Sequence, residues 1–188
     1  MENELLKKDD NLECEMMRYR SNGLSYKLGF GGIACSILAA FICLNSFNPN
    51  SFLVIVKILM NIAILLFGFL SIEKAKAYSK QGSIILIVIG GINLARIFWV
   101  PFLLILNYNL WTSAGEADKE KYEQFIGKTI TSDNRNLISY LPQDGNFRGW
   151  FAIILLILSA AFFISAGVIG VKKSVKLNNY MESLKENK

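Results

Sequence analysis

Histidine is absent from this chain, and with it go the commonest metal ligand and the usual general base at neutral pH. Cysteine occurs at Cys14, Cys35 and Cys43. Without histidine these thiols make a poor metal set, and none lies in the long segment 108–149, so no disulfide staples that segment. They read as small apolar packing residues. HExxH, GxSxG and phosphate-loop spacings are missing too. Acidic side chains are missing from every long apolar stretch, which removes the carboxylates of an intramembrane proton relay. Asp118, Glu120, Glu123, Asp133 and Asp144 fall outside those stretches and read as a solvated charged face. Together these gaps point to a non-catalytic protein with no cofactor and no metal.

What is present is apolar length. Four stretches, 25–44, 52–72, 83–107 and 150–171, each run about 20 residues or more, the length an α-helix needs to cross a bilayer core. Lipid offers the backbone no partner over such a length, so every N–H and C=O must bond within the segment. With 53% hydrophobic and 19% charged residues, the 188-residue chain is more apolar than an ordinary soluble domain. The expected fold class is an all-α integral membrane protein, a four-transmembrane-helix up-down bundle. A polar tail (1–24) precedes one membrane domain (25–171), and a basic tail (172–188) follows it.

Lysine and arginine placement supplies an orientation. The N-terminal tail carries Lys7, Lys8, Arg18 and Arg20, with Lys27 where the first span starts. Lys74, Lys76 and Lys80 lie between spans two and three, and Lys172, Lys173, Lys176, Lys185 and Lys188 lie in the C-terminal tail. The link 45–51 has no charge, and the loop 108–149, roughly 40 residues, mixes five basic with six acidic residues. By the positive-inside rule both termini and the middle link face the cytoplasm of a cell membrane, and the other two loops face outward. The net charge of +5 therefore sits at helix ends and marks topology; no basic groove or module suggests nucleic acid. The first span is too long, and its tail too mixed in charge, for a cleavable secretory signal, so it reads as a signal anchor. No lipidation box is evident.

Local signals refine this outline. A helix is expected from Glu4 to Arg20, with a weak apolar face of Leu5, Leu12, Met16 and Met17, and Ser21-Asn22-Gly23 is a turn. Gly32, Ser36 and Ala40 recur every four residues and form a small-residue face for close helix packing, and Ala166 and Gly170 form a second such pair. Asn48-Pro49-Asn50 is a tight outer turn. The second span continues as a helix through Ala77 and is expected to end at Gly82. The third contains Gly90-Gly91 and a kinking Pro101. Tyr108, Trp111 and Trp150 suit an outer aromatic belt. In the outer loop, Ser113 and Glu116 form a capping box before a short helix through Tyr122 and Phe125, and Ile138, Tyr140 and Leu141 form a second apolar patch closed by Pro142. Two uses of this loop stay open: a lid over the bundle, or a docking surface.

The most informative polar feature lies inside the spans. Lys57 and Asn61 sit one turn apart on span two, and Asn93 and Arg96 one turn apart on span three. At a rise of about 1.5 Å per residue, Lys57 lies roughly 8 Å and Arg96 roughly 10 to 18 Å below the outer boundary. The four side chains form a candidate anion- or partner-binding site. Lys57 can snorkel to the head groups; Arg96 is deeper and needs a partner, whether carbonyls freed by Pro101, a lipid phosphate or a carboxylate of another subunit. The expected role is an accessory, scaffold or regulatory subunit of a larger membrane assembly, with the lipid bilayer and another subunit or a second copy as partners. The alternative is a small transport or channel component that binds an anion or lipid head group near Lys57 and Arg96.

Overall fold

The structure, a computed structural model, describes residues 2–43, 52–99, 101–102, 104–106, 109 and 145–186. Among these residues the chain is all-helical. Helix α1 spans Glu2–Tyr19, α2 Gly23–Ile42, α3 Phe52–Lys76, α4 Lys80–Trp99 and α5 Gly145–Glu186. Helical turns recur after α4 at 101–102 and 104–106. Four segments, Gly23–Ile42, Ile58–Lys76, Lys80–Leu106 and Asn146–Glu186, are long and apolar enough to cross a membrane. Their outer faces expose large apolar side chains such as Phe41, Leu59, Phe67, Phe98 and Ile154. Water would penalise such a surface, whereas lipid accepts it.

Two boundaries differ from the expectation. Helix α3 ends at Lys76, not at Gly82. Tyr78 takes the left-handed conformation (φ 58°), its N–H bonds the Ala75 carbonyl, and the Ser79 N–H bonds the Lys74 carbonyl, both at 3.1 Å. This is a Schellman ending with tyrosine where glycine is usual. Ser79 then opens α4, its Oγ accepting the Gly82 N–H at 3.4 Å. Gly82 lies inside α4, where a Cβ would meet Lys74 and the backbone of Ser71 and Ala75. Likewise, α5 begins at Gly145, within the expected outer loop, and runs 42 residues to Glu186. At about 1.5 Å per residue it is roughly 60 Å long, twice a bilayer core. As far as Glu186, the basic tail is thus a continuation of the fourth apolar helix. The expected outer turn and the loop elements built on Ser113, Tyr122, Phe125, Ile138 and Tyr140 lie outside the described residues.

The chain divides into two compact units. The first comprises Met1–Ile33, Leu65–Gly91 and Ala160–Lys188. Its largest fully buried side chain is Phe163 of α5. Gly32 of α2 and Gly68 of α3 both face the Phe163 ring, where an added Cβ would stand 3.0 and 3.6 Å away. Two glycines thus make the socket for one aromatic ring. Gly90 of α4 lies against Ile164 and the Ala160 carbonyl, and Gly167 of α5 against Ile87 and the Ser83 carbonyl. Ser25 Oγ donates to the Ala166 carbonyl at 2.6 Å. Such small-residue contacts give membrane helices van der Waals packing that lipid itself does not drive.

Helix α1 also belongs to this unit. It buries Cys14 and Met17, Lys176 of α5 pairs with Glu13 at 2.5 Å, and Tyr180 Oη donates to Glu15 at 2.8 Å. That bond holds the Tyr180 phenol above its usual pKa, helped by burial and by the Glu15 charge. Burial, then the Glu13 charge, raises Tyr78 as well. The Asn22 N–H bonds the Lys76 carbonyl at 2.9 Å and so joins the start of α2 to the end of α3.

The second unit comprises Ala34–Ile64 and Ile92–Ser159. Its core packs Ala39 of α2 against Leu155 and Leu156 of α5, flanked by Cys35, Ile42 and Ile97. Gly149 of α5 lies against Ile105 and the Pro101 carbonyl. The polar side chains described next belong to this unit.

Candidate functional site

Asn93 and Arg96 lie three residues apart on α4, a spacing that puts them on one helix face. Arg96 Nη1 donates to Asn93 Oδ1 at 2.7 Å and to Ser36 Oγ of α2 at 2.8 Å. Arg96 Nη2 donates to Asn61 Oδ1 of α3. Asn93, fully buried, passes the network on: its Nδ2 donates to Ser159 Oγ of α5 at 3.0 Å. One guanidinium thus ties together side chains from all four apolar helices.

The electrostatics are unbalanced. Bonds to a charged donor contribute about 1.5–3 kcal/mol each, and the three acceptors are neutral hydroxyl and amide oxygens. They solvate the cation without neutralising it. Among the described residues no carboxylate pairs with Arg96; the ion pairs are Arg18–Glu15, Lys76–Glu73 and Lys176–Glu13, all in the other unit. A charge at membrane depth costs several kcal/mol unless it is hydrated or paired.

A cavity of about 40 Å³ opens beside the guanidinium. It is lined by Ala39 and Ala40 of α2 and Cys43 just after it, by Met60, Asn61 and Ile64 of α3, by Arg96 and Trp99 of α4 with Pro101 beyond it, and by Leu156 of α5. Arg96 and Asn61 bring the polar character, and the other walls are mainly apolar. By volume it holds a few water molecules or one small group.

Of the four residues singled out in the sequence, Asn61, Asn93 and Arg96 come together, while the Lys57 side chain lies outside those described. Among the described residues the acceptors for Arg96 are the Ser36, Asn93 and Asn61 side chains, and Pro101 lines the cavity. The small-residue face splits by task. Gly32 receives Phe163, Ser36 accepts from Arg96, and Ala40 lines the cavity. Ala166 accepts from Ser25, and Gly170 lies against Ser83. These contacts are all made within the chain. Sequence reasoning missed Ser159 and treated Ser36 as a spacer. The signal was there: a serine in an apolar helix needs a bonding partner, and the deep cation supplies one.

Compared with known proteins, the chain matches no protein family, no curated protein and no solved structure. Fold and site together define a chain that, among the described residues, is all-helical, has four helices long and apolar enough to cross a membrane, and carries a network centred on one arginine.

Proposed function

We propose that this chain is a non-catalytic multi-pass membrane protein, with both termini cytoplasmic, acting as an accessory or regulatory subunit of a larger assembly in a cell membrane. The carrying observation is how the polar side chains of the second unit are used. Arg96, Ser36, Asn61, Asn93 and Ser159 bond to one another and fasten four helices together. They hold a scaffold in shape and present no nucleophile–base pair to a substrate. Broad apolar outer faces, and an α5 that continues about 22 Å past residue 171, offer surfaces for lipid and for a neighbouring subunit.

The second reading, a small transport or channel component, draws support from the cavity beside Arg96. Reconstitution separates the two. The purified chain in vesicles of pure lipid is expected to carry no anion or solute flux. Saturable flux through the chain alone, abolished by Arg96→Leu, would replace the subunit reading with the transport one.

A further inference from the structure

We infer that the cavity beside Arg96 is a binding site for a carboxylate-sized monoanion, either free in solution or carried as the head group of an acyl chain. The inference rests on reading α2–α5 as membrane helices, and it adds a ligand to that reading. Charge supplies the first argument: Arg96 is solvated by Ser36, Asn61 and Asn93, all neutral, so one positive charge remains without a counterion among the described residues. Donor count supplies the second. A guanidinium has five N–H donors, and among the described residues three are used, by Ser36, Asn93 and Asn61, which leaves two for a ligand.

Size and lining narrow the ligand. About 40 Å³ admits a single small group, so only the small polar end of a larger ligand fits inside. Walls of Met60, Ile64, Trp99 and Leu156 strip water from whatever enters, which strengthens one ion contact and penalises a second uncompensated charge. Among the described residues lining the cavity Arg96 is the one cation, so a monoanion matches it, whereas a dianionic phosphate carries a charge that none of these residues balances. The walls come from all four helices and are mainly apolar, which suits a group on a thin acyl chain or a free ion.

Trp99 lines the cavity and provides the probe. In purified full-length protein carrying Trp111→Phe and Trp150→Phe, Trp99 emission is followed during titration with dibromostearate, with its methyl ester, and separately with iodide. Saturable quenching by the brominated acid and not by its ester supports the inference and assigns an acyl-chain source. Saturable quenching by iodide alone supports it and assigns a free ion. Arg96→Leu is expected to weaken the quenching by about tenfold or more, the change in Kd that goes with one lost charge-assisted bond. Equal quenching by acid and ester, with none by iodide that saturates, overturns the inference. Where Arg96→Leu does not fold, the acid–ester–iodide comparison on the unaltered site decides alone. None of these outcomes depends on an unlike subunit, so failure here leaves the subunit reading standing.

Discussion

Ser36 Oγ of α2 accepts a 2.8 Å hydrogen bond from Arg96 Nη1 of α4. A residue expected to serve as a spacer is an acceptor for a deep cation. Ser36→Ala keeps the small side chain and deletes the acceptor, so it is expected to lower stability by about 1.5–3 kcal/mol. In the Arg96→Leu background the same change is expected to cost well under that, since the charge is gone. Thermal unfolding of both singles and the double gives the coupling, expected within about 0.5–3 kcal/mol.

Asn61 is the position where a counterion can be built in. Its Oδ1 already accepts from Arg96 Nη2, so Asn61→Asp places a carboxylate against the guanidinium. The variant is expected to unfold at a higher temperature than Asn61→Ala and to lose quenching of Trp99 by the brominated acid, because the charge is then satisfied from within. Unchanged quenching would show that the ligand does not use this charge.

Adjacent glycines of α4 are expected to respond with opposite signs. A Cβ on Gly90 would stand 3.1 Å from the Ala160 carbonyl and closer still to Ile164, whereas one on Gly91 meets nothing within 4 Å. Gly90→Ala is expected to destabilise by about 1–3 kcal/mol through overpacking. Gly91→Ala is expected to stabilise by about 0.5–1 kcal/mol through helix propensity. Thermal midpoints of the two variants check both signs.

Helix α1 is held mainly by burial. The Lys176–Glu13 pair is half-exposed, and such pairs contribute about 0–1 kcal/mol, so Glu13→Gln is expected to do little. Met17→Asp breaks the apolar contact and is expected to expose Cys14, now buried, to thiol reagents, with the labelling rate as readout. Tyr180 adds a pH term. Its folded pKa is raised, so its contribution to docking is fully present below the unfolded tyrosine value of about 10 and is lost as pH rises through the folded value. Protease sensitivity of α1 is therefore expected to increase only at strongly alkaline pH.

The four apolar helices were legible in the sequence because length and composition decide whether a segment can cross lipid, and neither needs tertiary knowledge. The meeting of Asn61, Asn93 and Arg96 was legible in part, since spacing assigns residues to a helix face and charge demands a partner. Other features depend on neighbours that spacing cannot name. Gly90-Gly91 reads as one motif until Ile164 is seen against only one of its glycines. Gly82 reads as a helix stop until Tyr78 is found in the left-handed conformation four residues earlier. Lys172, Lys173, Lys176 and Lys185 read as part of a basic tail, yet they continue α5 because nothing between Val171 and Glu186 breaks a helix.

The subunit reading is tested most directly by native mass spectrometry of the protein purified in gentle detergent from its own membrane. The account predicts a stoichiometric complex with an unlike membrane protein. A homo-oligomer or a lone monomer under those conditions would contradict it.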